Sequence, residues 1–109
     1  MTSRSDQGGP LRSEFADDAE MRELIEFYLD ELSRKVSAIE ACLACDDSKG
    51  IERMAHRLKG SSAGYGFSPI GEAAGELEAA IRQDTDASVV ELTGQLLELC
   101  ARALMTEPD

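Results

Sequence analysis

Between Met21 and Leu43 apolar side chains fall at Met21, Leu24, Ile25, Tyr28, Leu29, Leu32, Val36, Ile39 and Leu43, at spacings dominated by three and four residues. That is about six turns of one helix face, and the pattern does not suit a strand, whose two sides alternate at every residue. A helix with so long an apolar stripe needs partners to cover it. The rest of the chain has to supply them.

Asp17 with Glu20 three residues later has the form of a capping box, with Asp in place of Ser or Thr, so the long helix is expected to begin there. Asp46-Asp47-Ser48 breaks the stripe and offers a cap for a second helix, which should pack antiparallel to the first. The second helix is expected to end near Tyr65 to Phe67, where Gly64 and Gly66 can take the terminating conformation. Ser68-Pro69 then supplies a cap with proline at the first helical position. A third helix runs through Ile70, Ala73, Ala74, Leu77 and Ile81 and stops before Gln83. Asp84-Thr85-Asp86 is the third turn, with Asp86 as a cap, and a last helix buries Val89, Leu92, Leu96, Leu99, Cys100, Ala103 and Leu104. No strand pattern or internal repeat is present. The expected fold is all-α, an antiparallel up-down-up-down four-helix bundle over residues 14–106, with a flexible N-terminal arm at 1–13 and a tail at 107–109.

A chain of 109 residues has room for one domain with a modest core, and it shows no Gly-rich nucleotide loop and no strand to carry one. It is therefore expected not to be an enzyme that uses ATP directly. Its formal net charge of -11 disfavours nucleic acid and anionic membranes as partners, which leaves another protein. No apolar run is long enough to span a membrane, and the first dozen residues lack a signal-peptide core, so a soluble cytoplasmic protein is expected. A monomer is the expected state. Cys42, Cys45 and Cys100 are odd in number, and Cys42-x-x-Cys45 sits inside a helical pattern without a second pair or a nearby histidine. They read as structural thiols, and no metal or other cofactor is expected to be bound.

The only histidine, His56, lies in the second helix. At 3.6 residues per turn His56, Lys59, Gly60, Ala63, Gly64 and Phe67 share one face, while Ile51, Ala55, Leu58, Ser62 and Tyr65 share a mostly apolar one. The imidazole points away from its own helix's buried stripe. Gly60, Gly64 and Gly66 are three glycines in seven residues, each costing a helix interior about 1 kcal/mol relative to alanine. A position without a side chain one turn beyond His56 leaves room for another backbone, and Lys59 sets an ammonium where it could neutralise an anion held on the ring. These residues suit a histidine that takes a phosphoryl group from a docked partner and returns it.

The run His56-x-Leu58-Lys59-Gly60-Ser61-Ser62, followed by Gly66-Phe67, resembles the signature of histidine-containing phosphotransfer (HPt) domains, the four-helix carriers of multistep phosphorelays. The resemblance implies a phosphoacceptor at His56, phosphoryl stabilisation by Lys59, and docking across Gly60, Ser61, Ala63 and Gly64. Similar domains place a Gln or Glu 22 residues beyond the histidine to orient the ring, which is Glu78 here; spacing alone does not separate it from Glu72 or Glu76. The implied partners are response-regulator receiver domains and hybrid sensor kinases, with any magnesium brought by the receiver. The other readings are the phosphoacceptor region of a larger kinase and a helical adaptor without phosphate chemistry.

One property is read from this chain alone. From Lys49 to Lys59 there are four basic residues, Lys49, Arg53, Arg57 and Lys59, against the single acid Glu52. Lys49, Arg53 and Arg57 are therefore expected to form a basic rim that draws in the acidic pocket of a receiver.

Overall fold

The computed structural model describes residues 9–83 and 86–105. Four helices account for most of them: α1 (Arg22–Ala44), α2 (Ser48–Ser61), α3 (Ser68–Arg82) and α4 (Asp86–Leu104). No strand occurs among the described residues. Each helix packs against the next, and α4 closes the ring against α1. Tyr28, near the start of α1, meets Ser62 just past the end of α2, so these two helices run in opposite directions. Glu52 and His56 on α2 pair with Arg82 and Glu78 on α3, which makes that pair antiparallel as well.

The expected stripe of α1 buries Tyr28, Leu32 and Ile39 against Ile51, Ala55 and Leu58 of α2, Ile70, Ala74 and Leu77 of α3, and Leu96, Cys100 and Ala103 of α4. Leu24 departs from it. It is half exposed, as is Phe27, while Tyr28 is buried. Leu104 is also partly exposed, at 38 %, and the buried Thr93 directs its hydroxyl to the Val89 carbonyl at 2.7 Å, satisfying itself inside the helix.

Several local expectations change at the helix ends. Asp18, not Asp17, is the cap: its carboxylate accepts the Glu20 N–H and starts a 3₁₀ turn at Ala19–Met21, so α1 begins only at Arg22. Asp47 caps α2 through the Gly50 N–H at 3.0 Å, as the turn chemistry requires. α2 stops at Ser61, a 3₁₀ turn follows at Ala63–Tyr65, and Gly66 alone of the two candidate glycines takes the left-handed conformation, with φ 88°. Because the helix has ended, Phe67 leaves the face of His56 and enters the core, where Tyr28 stacks with both Tyr65 and Phe67 at 4.9 and 5.2 Å. Phe67 also takes the cap position of α3, and Ser68 becomes the first helical residue, its hydroxyl donating to Glu14 instead. The cap expected at Asp86 and the tail beyond residue 105 lie outside the described side chains.

Within the segment expected as a flexible arm, residues 1–8 lie outside the described residues, and 9–13 lie against the bundle. The Leu11 N–H donates to the Arg102 carbonyl, Arg102 donates to the Gly9 carbonyl, and the buried Ser13 donates to the Tyr65 carbonyl. This strap ties the end of α4 to the turn that follows α2.

Candidate functional site

His56 faces outward from α2, two-thirds exposed, because its own helix buries Ile51, Ala55 and Leu58 on the opposite side. One ring nitrogen is engaged: Nδ1 lies 2.8 Å from Oε2 of Glu78 on α3. A carboxylate can only accept, so Nδ1 carries the proton, and in the neutral ring Nε2 keeps its lone pair on the open side. The Glu72 and Glu76 side chains are exposed, whereas Glu78 is 2 % exposed.

Glu78 is the centre of the electrostatics. Burial pushes its carboxyl pKa upward, but the His56 hydrogen bond, then the Arg82 charge, then the His56 and Lys59 charges outweigh that, and it is held below the usual carboxylate range. Arg82 Nη2 lies 2.8 Å from Oε2, and Lys59 Nζ approaches the other oxygen at 3.5 Å. The partners that cover the carboxylate are themselves each more than half exposed, so it is sealed by polar side chains at the surface and not by the apolar core. Oε1 has no hydrogen bond, and its long contact with Lys59 leaves that ammonium loosely held.

The two flanks of His56 differ. On one, an open cavity of about 330 Å³ is lined by His56 with Lys49, Arg53, Arg57 and Arg82, against the acids Glu52 and Glu78. Lys49, Arg53 and Arg57, the residues of the expected basic rim, thus line one cavity with the ring. On the other flank Lys59 lies over α3, where a side chain on Gly75 would stand 3.5 Å from its Cδ. A Cβ on Gly60 or Gly64 would meet nothing within 4 Å, so the surface beyond the histidine is bare. Ala63 and Gly64 sit exposed in the turn after α2, and Ser61 directs its hydroxyl to the Arg57 carbonyl at 3.0 Å.

Two residues were not legible as part of the site. Arg82 bridges Glu78 and Glu52, with Nε 2.9 Å from Glu52 Oε2, so Glu52 joins the group as well. The available signals were Arg82 four residues after Glu78, the favoured acid-then-base order along a helix, and Glu52 one turn before His56. Neither signal fixes the register of α2 against α3, which is what brings the pairs together.

Among the described residues no group of three or more His, Cys, Asp or Glu side chains is placed to hold a metal ion, and no helix is long and apolar enough to cross a membrane. Cys42 is half-buried, Cys45 exposed and Cys100 buried, all as free thiols, and burial pushes the Cys100 thiol pKa up to about 12. Neither the curated proteins nor the solved structures returned a match to the chain. A family model described as the Hpt domain matches residues 23–106, which takes in all four helices and the His56–Glu78 pair. The chain belongs to the Hpt domain family and is a histidine-phosphotransfer carrier of phosphorelay signalling, a phosphoryl carrier and not an enzyme in its own right.

Proposed function

We propose that His56 is the residue that carries the phosphate, accepting it on Nε2 from a receiver-domain aspartate and passing it to a second receiver. The observation that supports this reading is the exposed ring whose Nδ1 is bound to the buried Glu78 while Nε2 faces solvent. In the transfer the Nε2 lone pair forms the P–N bond, the acyl P–O bond breaks, and the electron pair leaves with the receiver's carboxylate. Positive charge develops on the ring, and Glu78 faces it through Nδ1–H. Lys59, only loosely tied to Glu78, turns to the phosphoryl oxygens. The bare surface at Gly60 and Gly64 admits the partner's backbone, and Ser61 and Ala63 lie on the same docking face.

Receiver domains, free or within hybrid sensor kinases, are the partners of this reading, and they bring the magnesium in their own acidic pocket. Lys49, Arg53 and Arg57 steer that pocket onto His56, and the carrier acts in the cytoplasm as a monomer. Incubation with a phosphorylated receiver should leave acid-labile phosphate on the wild-type chain and none on His56→Gln. Phosphate that persists in His56→Gln overturns the assignment, and none on the wild type favours a helical adaptor. In the same assay, reversing Arg53 and Arg57 to Glu should slow transfer through association and flatten its dependence on salt; an unchanged rate removes the steering role.

Gly60 separates docking from folding. It lies in the last turn of α2 with open space around it, so Gly60→Ala should raise stability by up to about 1 kcal/mol, because a helix favours alanine. The same methyl should slow transfer from the receiver. Thermal melting and transfer rates measured on one preparation check both signs, and a stabilised variant with an unchanged rate would remove the clearance role.

A further inference from the structure

His56, Glu78, Arg82 and Glu52 form a closed loop across two helices. His56 and Glu52 are one turn apart on α2, Glu78 and Arg82 one turn apart on α3, and the rungs between them are His56–Glu78 at 2.8 Å and Arg82–Glu52 at 2.9 Å. Arg82 also reaches back along α3 to the same Glu78 oxygen that accepts from the imidazole. The charged groups around the ring are Lys49, Glu52, Arg53, Arg57 and Lys59 on α2, and Glu78 and Arg82 on α3. Lys59 approaches only the far oxygen of Glu78, at 3.5 Å. The two close partners of the carboxylate are therefore the imidazole and the guanidinium.

A carboxylate out of water needs a cation. An imidazolium could be that cation, but a doubly protonated ring has no lone pair with which to attack phosphorus. A guanidinium is always charged, so a carboxylate that has one asks the imidazole only for an N–H, which the neutral tautomer provides. On the reading that His56 is the phosphoacceptor, we propose that Arg82 is the positioning residue that keeps its imidazole unprotonated, by giving Glu78 its counter-charge, while Glu52 acts on the ring as a second acid that Arg82 offsets. Glu52 meets Nε and Glu78 meets Nη2, so the two contacts use different atoms of the guanidinium. Glu52 adds negative charge one turn from the ring, so Arg82 offsets two acids and not one.

Because His56 is the only histidine, its ring nitrogens give unambiguous signals in a ¹⁵N NMR titration of the unphosphorylated protein. In Arg82→Gln, Glu78 falls back on the imidazole, and the titration midpoint should rise relative to the wild type, less than for a buried pair because the lost cation is exposed. The pH profile of transfer should move up with it. In Glu52→Gln an acid is lost while Arg82 keeps Glu78, so the midpoint should move down. Arg82→Lys keeps the charge on a single nitrogen that cannot meet both acids as the guanidinium does, so its midpoint should fall between wild type and Arg82→Gln. A mere brace between α2 and α3 would lower the melting temperature in both glutamine variants without opposite shifts, and midpoints that stay put or move together overturn the proposal. If the wild type takes up no phosphate, the phosphoacceptor reading fails by itself, while the titration still decides whether Arg82 and Glu52 set the protonation of the ring.

Discussion

Replacing Glu78 by leucine should cut the rate of transfer to His56 by about 10- to 100-fold and leave the bundle folded, with stability at neutral pH changed by no more than about 1 kcal/mol. The kinetic loss follows from the hydrogen bond. Without an acceptor at 2.8 Å the ring turns freely and its proton moves between both nitrogens, so Nε2 presents its lone pair only part of the time. Stability survives because His56, Lys59 and Arg82 are each more than half exposed, and each can turn to water instead of being stranded as a buried charge. Leucine fills a similar volume, and the desolvation of the carboxylate disappears with it.

Acid pH supplies a second test of the same substitution. Glu78 is held below the usual carboxylate range in the folded protein, so its contribution to stability is present above the unfolded value of about 4.3 and is lost as pH falls through the lower folded value. Wild type should therefore lose more stability than Glu78→Leu between pH 7 and the acid limb, the other carboxylates being common to both. Single-turnover transfer and melting curves over this range check the two claims. A leucine variant that transfers at the wild-type rate would remove Glu78 from the site.

The largest effect on folding is expected far from the histidine. Gly66→Ala should destabilise the protein by about 3 kcal/mol and lower its melting temperature by about 10 to 20 °C. The residue has φ 88°, a conformation that a Cβ makes costly, and there is no room beside it: the new methyl would overlap Ser13 Oγ and stand 2.8 Å from the Glu14 backbone nitrogen. The Glu14 N–H also donates to the Gly66 carbonyl at 2.7 Å, so relief of the clash would pull the strap away from the turn. Circular-dichroism melting checks the prediction, and a shift of only a few degrees would mean that the strap gives way easily.

The number of helices and their buried faces were legible because amphipathic periodicity repeats over many residues, and an error at one position does not erase it. Leu24 and Leu104 show the limit: a stripe says which side faces inward, not where the bundle stops covering it. Helix ends were less legible, since Asp17 and Asp18 have the same chemistry and only the backbone decides which accepts the Glu20 N–H. Phe67 was placed beside His56 by continuing a helix that in fact ends at Ser61. At the site, His56, Lys59 and Gly60 stood out because they lie together on one helix. Glu78 needed the family resemblance, and Arg82 and Glu52 needed the registration of α2 against α3, which no local pattern carries.

The polar cover over Glu78 bears on how a relay partner senses the carrier. The side chains that meet the carboxylate stand at the surface, while the core of Leu58, Ala74 and Leu77 is closed beneath them. On the reading that His56 carries the phosphate, Lys59 can turn to it without unpacking any apolar contact, so the charged and uncharged carriers are expected to share one outline. They differ by the roughly -1.5 to -2 units that a phosphoryl group brings to a basic surface. On that reading, a partner that has to tell a full carrier from an empty one is expected to read the change in the field at this end of the molecule and not a change of shape.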